Sequence, residues 1–454
     1  MTRTSTLLLL PLTSALLLGC NAPSSAGPEA APDRPGYSDT RYDAVMSVEV
    51  QGDDTVAALE ATLGGTVLAW PQPGCADAVA CAALVGVNAA PATDPDSLIA
   101  LRVAALDGRA IHVERNRDVF SGGGALTAQI GGSRNIWAGG NFLTWSGGSR
   151  NIWAGGQYQA VPENTQIWTR IRLEQAHRLT PNLGAGVTVA VIDTGLDLQH
   201  SAFQGSLSDP STWWDFYAGD AVPQEEGTLG TGAYGHGTNV AGIILQVAPR
   251  ARIMPLRVLG ADGSGDVANV ARAITWAAAK GAQVINLSLG SAESSKVVQD
   301  AINKVTAQNV IVVASAGNEN RNRITYPAAT ASSGKAGERA LSVGSVDLLD
   351  RKSSFSNYTK GLELVAPGEQ VYAPAPGELM AAWSGTSMAA PMVTGGLALA
   401  FGQPLAVAVK DLTLKLAENA SDVYNNGANQ AYKDMLGVKG RLDLEAFLAN
   451  SVRN

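Results

Sequence analysis

The chain has 454 residues, with 32 Lys and Arg against 40 Asp and Glu, and a formal net charge of −8. Charged residues make up only 16% of it, and the balance is acidic, which argues against nucleic-acid binding. The length suits two folded domains plus a leader and a linker.

Residues 1–20 read as a signal peptide. Arg3 supplies the basic start, Leu7 to Leu18 a short apolar core, and Leu17-Leu-Gly-Cys20 follows. The run is too short to span a membrane as a mature helix. Cys after Gly resembles a bacterial lipobox, with Cys20 acylated. Leu18 is a less usual middle residue, so ordinary signal-peptidase cleavage is the alternative. Residues 21–41, rich in Pro, Ala, Ser and Gly, form a tether. No other segment demands a membrane, so membrane contact is expected only through an N-terminal lipid. The expected location is outside the cytoplasm, as a cell-envelope lipoprotein or a secreted protein.

Residues 42–120 form a small module. Strands are expected at 43–50, 66–69, 82–87 and 110–115, and helices at 55–63 and 96–106, an α+β arrangement. Cys75 and Cys81 fall inside it. Export permits a disulfide, and the count is even once Cys20 is set aside. Zinc is disfavoured, because no neighbouring His or Cys completes four ligands.

Residues 121–164 are a Gly- and Trp-rich junction. Gly131-Gly-Ser-Arg-Asn-Ile-Trp-Ala-Gly-Gly140 recurs unchanged at residues 147–156, a period of 16. Two copies are too few for a solenoid, which needs about three or more. Trp137, Trp145 and Trp153 could pack on a neighbour or bind carbohydrate or envelope surface. A flexible, exposed linker is the preferred reading.

Residues 165–454 alternate apolar strands with helices. Strands are expected at 187–192, 252–258, 284–289 and 310–314, and helices at 236–245, 267–280 and 297–306. A buried helix is expected over 388–401, with closing helices at 405–416 and 442–448. Such alternation predicts an α/β fold, a mostly parallel sheet with helices on both faces.

Four short segments of this region carry chemistry. They are Asp193 in Ala190-Val-Ile-Asp-Thr-Gly195, His236 in Gly235-His-Gly-Thr238, Asn318 in Ala316-Gly-Asn318, and Ser387 in Gly385-Thr-Ser-Met-Ala-Ala-Pro391. A serine hydroxyl is a poor nucleophile at neutral pH, and a histidine in reach can take its proton. A buried aspartate fixes the histidine tautomer. An asparagine amide, with the serine N–H at a helix N-terminus, can hold the oxyanion. Each residue has a plainer reading: a turn aspartate, a structural histidine, a turn asparagine, a helix cap. Four such coincidences in a fixed order favour the chemical one. His112, His177 and His200 have no such context and read as surface or structural.

The order Asp, His, Ser is that of subtilisin, not of chymotrypsin or the α/β-hydrolases. A nucleophile elbow would also need glycine at position 389, which is Ala389. The region from about Gln166 onward therefore resembles the subtilisin-like serine proteases. The resemblance implies a triad of Asp193, His236 and Ser387, with Asn318 as oxyanion donor. It implies a substrate-backbone strand over Asn286, Leu287, Ser288, Leu289 and Gly290, which pairs with an extended peptide. Ala314, Ser315, Ala316 and Gly317 would wall the pocket before the scissile bond, and Gly263-Ser-Gly265 the opposite cleft edge. Ser353-Ser-Phe-Ser-Asn357 and Val365-Ala-Pro-Gly368 are similar to family segments.

By the same resemblance, the 42–120 module is of the propeptide type, which assists folding and blocks the cleft. An unrelated ordering domain is the alternative. The expected protein is an exported serine endopeptidase, made as a self-processed zymogen. Its partners would be polypeptides and its own propeptide, and it would be a monomer. A catalytically silent relative is disfavoured because Asp, His and Ser are all kept. An esterase-type hydrolase is disfavoured by the chain order.

Two departures stand out. The family's His-Gly-Thr-His reads His236-Gly-Thr-Asn239, but the second histidine of that pattern is not the base. Only Ile-Ile-Leu-Gln-Val separates Gly242 from Ala248-Pro249, where many relatives carry a calcium-binding loop, and Ala202 stands where some supply an acidic ligand. No cofactor is required, no metal-ligand residue is assigned, and the usual tight calcium site is expected to be absent. Acidic loops such as residues 209–226 leave structural calcium open, though solvation is the commoner role of such loops.

Overall fold

The computed structural model describes residues 42–121, 134–135 and 161–453, apart from 72–74, 76–77, 80, 89–102, 105, 107, 117, 229–231, 332–338 and 426. The leader, Cys20, the tether, most of the expected helix at 96–106 and all but two residues of the Trp repeat lie outside the described residues. No helix among the described residues is long and apolar enough to cross a membrane.

The N-terminal module is built from β1 (Ala44–Glu49), α1 (Val56–Leu63), β2 (Gly65–Ala69), β3 (Ala82–Val87) and β4 (Ala110–Arg115). The strands form an antiparallel sheet in the order β2-β3-β1-β4. Helix α1 starts at Thr55, whose side chain accepts from the Ala58 N–H. It stops at Gly64, whose φ of 56° is the left-handed conformation that glycine adopts at little cost. Alternation along β1 divides its side chains between two cores. Ala44, Met46 and Val48 pack with Leu59 and Leu63 of α1. Val45 faces the other way, into the core of the larger domain. Cys75 and Cys81 form a disulfide, as the even cysteine count allowed.

Two short strands follow, β5 (Asp118–Ser121) and β6 (Arg134–Asn135). The larger domain opens with α2 (Thr165–Arg170) and α3 (Leu173–Leu179). Then come β7 (Thr188–Asp193), β8 (Trp214–Asp215), α4 (His236–Val247), β9 (Arg252–Arg257), β10 (Ser264–Asp266) and α5 (Val267–Ala279). Next are β11 (Val284–Leu287), β12 (Leu289–Gly290), α6 (Lys296–Ala307), β13 (Ile311–Ser315), α7 (Ala328–Ala331), β14 (Ala340–Val346) and β15 (Leu364–Pro367). The chain ends with β16 (Val371–Ala375), β17 (Leu379–Ser384), α8 (Thr386–Phe401), α9 (Leu412–Glu418), β18 (Ser421–Asp422), β19 (Gly440–Arg441) and α10 (Leu444–Ala449).

Nine strands make the central sheet, in the order β18-β19-β15-β14-β13-β11-β7-β9-β8. All its pairs are parallel except β18 with β19. Helices cover both faces, so the strands are apolar throughout. One core joins α4 and α8 to alternate residues of the sheet, such as Val189, Val191, Val313 and Val343. The other joins α5 and α6 to the opposite set, such as Ala190, Ile192, Ile285 and Val312. Each fully buried Val, Leu or Ile contributes roughly 1.5–3 kcal/mol of transfer free energy.

Two expected elements differ. The strand expected at 284–289 breaks at Ser288: β11 stays in the central sheet, and β12 turns out of it into another. The helix expected at 405–416 is a single 3-10 turn (Val409–Asp411) followed by α9. Its first residues are instead tied to the chain end, with Leu405 bridged to Val452 and Ala406 N–H donating to Ser451 O.

Candidate active site

Asp193 is the last residue of β7 and His236 the first of α4. Their contact depends on glycine. Gly235 has a φ of 95°, which lets the chain turn into the helix. A Cβ on Gly237 would lie 2.2 Å from the Gly195 carbonyl and 3.2 Å from Asp193 Cβ. Only with hydrogen there can the helix end reach the strand end. His236 Nδ1 then lies 2.7 Å from Asp193 Oδ1, which also accepts the Thr194 N–H at 2.8 Å. Both side chains have no exposure. This pairing favours the tautomer with its proton on Nδ1, leaving Nε2 as the basic nitrogen. Burial lowers the imidazole pKa, but the neighbouring Asp193 and Glu225 carboxylates outweigh it, and the net shift is upward. The Trp383 ring packs edge-on against the imidazole, with centroids 5.5 Å apart.

Ser387 lies at the second position of α8, behind the extended Gly385. Pro391, four residues later, has no N–H to donate to the Ser387 carbonyl. Ser288 Oγ supplies that bond instead, at 2.9 Å. Ser387 Oγ donates back to the Ser288 carbonyl at 3.3 Å. It makes no bond to His236, whose Nε2 has no hydrogen-bond partner among the described residues. Such bonds often tighten only when substrate is bound. Asn318 is fixed by Thr386: its Oδ1 accepts the Thr386 N–H at 2.8 Å and the hydroxyl at 3.0 Å. Fixing Oδ1 also fixes where the Nδ2 donor points. Gly317 N–H donates to Thr386 Oγ1 at 3.1 Å, so the 314–317 segment, at the carboxyl end of β13, is held to the start of α8.

A separate three-stranded antiparallel sheet lies on this end of the domain, in the order β10-β5-β12. Phe120 is opposite both Ser264 and Gly290, Val119 opposite Gly265, and Ser121 opposite Leu289. Leu289, Gly290, Ser264 and Gly265 therefore do flank an added strand, and that strand is the chain's own. Asn286 and Leu287 differ from the expectation, since β11 belongs to the central sheet. The Asn286 amide is consumed in support, with Oδ1 accepting from Thr394 Oγ1 and Nδ2 donating to Ser288 Oγ. Asn357 Nδ2 braces the Ala316 carbonyl, and the Gly368 carbonyl accepts the Gly385 N–H.

The other singled-out residues have structural partners. Asn239 Nδ2 bonds the Ala373 and Ala381 carbonyls and so straps α4 to the β16–β17 hairpin. His112 Nε2 is 3.3 Å from Asp300 Oδ1, His177 Nε2 contacts the Val247 carbonyl, and His200 Nδ1 accepts the Ala202 N–H. Helix α4 runs unbroken from His236 to Val247 and takes in the short Ile-Ile-Leu-Gln-Val stretch after Gly242. Among the described residues no group of three or more His, Cys, Asp or Glu could hold a metal ion. The acidic 209–226 segment is not simply solvated. Asp215 is buried with Arg257 at 3.1 Å, and Glu225 is buried beside Thr194 and Thr238. Sequence reasoning missed Glu225, Thr194, Thr238 and Thr386. The threonines lie within three of the four chemical segments, but nothing in the sequence marks Glu225 apart from its acidic neighbours.

A model of the subtilase family matches residues 184–434. The chain is a subtilase. It is 39% identical over 243 residues to Subtilisin Savinase of Lederbergia lenta, covering 51% of this chain and 81% of that protein. It is 38% identical over 222 residues to Thermitase of Thermoactinomyces vulgaris, covering 47% and 74%. Against an alkaline protease of Alkalihalobacillus alcalophilus the identity is 39%, over 51% of this chain and 58% of that protein. This subtilase is a serine endopeptidase, and its substrates are polypeptides.

Proposed function

We propose that this subtilase is an exported zymogen that processes itself, using Asp193, His236 and Ser387 as its triad and Asn318 as its oxyanion donor. Ser387 Oγ attacks the scissile carbonyl carbon while its proton passes to His236 Nε2. The carbonyl electrons move onto oxygen, and the Asn318 amide with the Ser387 N–H bind that charge. Collapse expels the amine, which takes the proton from Nε2. Water then repeats the sequence and frees Ser387. Asp193 stays ionised and holds the imidazolium that forms.

The observation that carries the zymogen reading is β5. A strand continuous with the N-terminal module lies between β10 and β12, where an extended substrate would add to the sheet. Residues 42–120 are accordingly the propeptide, and residues 121–164 the processing zone. The leader and the Cys75–Cys81 disulfide support export. Cys20 would carry the lipid if the lipobox is used, giving a cell-envelope protein until release. The unbroken α4 supports a protease without the tight calcium site of many relatives.

Incubation of the purified precursor tests this. Mass spectrometry is expected to find cleavage between Val119 and Gln166, abolished by Ser387→Ala. Cleavage that persists unchanged in Ser387→Ala would mean that an outside protease does it.

A further inference from the structure

Glu225 lies in the loop between β8 and α4, 32 residues after Asp193 by number, and is 2% exposed. A lone carboxylate so buried is costly unless it is well bonded. Here four donors converge on it. Oε1 accepts Thr194 Oγ1 at 2.5 Å and the Gly235 N–H at 2.7 Å. Oε2 accepts the Thr238 N–H at 3.1 Å and the Thr238 hydroxyl. Thr194 directly follows Asp193. Gly235 directly precedes His236, and Thr238 is two residues beyond it. Two further bonds close the network: Gly237 N–H to Thr194 Oγ1 at 2.9 Å, and Asp197 N–H to Thr238 Oγ1 at 2.9 Å. The Glu225 N–H donates to the Leu196 carbonyl and fixes the loop to the chain leaving β7.

We propose that Glu225 is a positioning residue of this endopeptidase: its buried carboxylate ties the end of β7 to the start of α4 and so sets the orientation and the charge environment of the Asp193–His236 pair. The reading rests on the triad proposed above. Cutting the tie would leave the two ends joined only by the Asp193–His236 bond, Gly237 N–H to Thr194 Oγ1 and Asp197 N–H to Thr238 Oγ1, with both threonine hydroxyls stripped of their carboxylate acceptor. The carboxylate also places a second negative charge beside an imidazole that becomes positive in the transition state.

The groups facing this cluster are few. Asp193 comes from β7, Asp197 from the chain after it, and Tyr234 from the turn into α4. Arg257 of β9 bonds the neighbouring Gln224 carbonyl and Glu226, as well as Asp215. Burial raises the Tyr234 phenol, with Glu225 and Asp197 adding to it. Burial pushes the Glu225 carboxyl up to about 7, against the hydrogen bonds from Thr194 and Thr238, with Asp193 adding to the rise. It is therefore ionised above neutral pH, where His236 must act as a neutral base.

Glu225→Gln in the processed enzyme tests the assignment, with a peptide substrate and with fluorophosphonate labelling of the wild type as reference. The expected result is a kcat roughly tenfold or more lower, with KM within about twofold. The acid limb of kcat/KM should move to lower pH, because His236 loses a neighbouring anion that favours its protonated form. Glu225→Asp should recover part of kcat. If Glu225→Gln does not mature, His236 is titrated by NMR in Ser387→Ala precursors with and without it, and the same downward shift is expected. A superimposable pH profile and titration, with only thermal stability lowered, would overturn the proposal. Failure of the wild type to label at Ser387 would instead overturn the triad reading, and this proposal with it.

Discussion

Ser387 illustrates how single residues set the chemistry. Pro391 removes one helical hydrogen bond, Ser288 replaces it, and the start of α8 is thereby fastened to the end of β11. Thr386 does the matching work for Asn318, binding its Oδ1 and aiming its amide. Asn318→Ala should leave peptide KM nearly unchanged and lower kcat about 100- to 1,000-fold, the usual cost of losing one oxyanion donor. Steady-state kinetics on the processed enzyme would check it, and a loss confined to KM would contradict the role. Asp193, His236, Asn318 and Ser387 were legible in sequence because the chemistry demands those types in those contexts. Glu225 was not. Asp209, Asp215, Asp220, Glu225 and Glu226 read alike as a string of loop acids. Only the fold shows that Asp215 and Glu225 are buried while Glu226 is exposed.

Elements meet here at close range, and that closeness is testable. The start of α4 touches the turn after β7 only because Gly237 has no side chain. Gly237→Ala should push the helix end back, lower activity tenfold or more, and cost roughly 1–3 kcal/mol of stability. Kinetics on the processed enzyme with Ser387 intact, and urea unfolding of the Ser387→Ala precursor, would measure the two effects. Another contact joins the module to the larger domain. The Glu114 carboxylate of β4 accepts from Ser295 Oγ and from the Lys296 and Val297 N–H groups at the start of α6. An anion at a helix N-terminus meets free donors and the positive end of the dipole. Glu114→Ala should destabilise the Ser387→Ala precursor by about 1–3 kcal/mol in urea unfolding. No change would mean that water replaces the carboxylate without loss. The strands expected at 187–192, 252–258 and 310–314 and the helices expected at 236–245, 267–280, 297–306, 388–401 and 442–448 were legible from periodicity to within about two residues, whereas α2, α3 and β14 to β19 were not anticipated. The break at Ser288 was not, because Val284 to Leu289 is apolar on both sides of it and the turn is imposed by β5 and Ser387. The 405–416 stretch misled for a like reason: its apolar residues are buried by the chain end, not by helical periodicity.

The larger domain is built on a mostly parallel sheet, with Asp193 and the 314–317 segment at carboxyl ends of its strands and the smaller β10-β5-β12 sheet beside them. The motif order along the chain made the larger domain legible, since each motif falls at a strand or helix end. The seat of β5 was not legible. Residues 118–121 are a short run far in sequence from Ser264 and Leu289, and no local pattern names their partners. The module packs its second face, through Val45 and Leu84, into the core that also holds α5 and α6. On the zymogen proposal, the module and the protease would fold together around the chain's own β5 before it is cut.

The proposed catalytic mechanism turns on whether Ser387 is an activated nucleophile. The direct measurement is fluorophosphonate labelling of the processed protein, followed by peptide mapping. One adduct, on Ser387, is predicted, and it should be lost in His236→Ala. No adduct, or an adduct on another residue that His236→Ala leaves intact, would contradict the account.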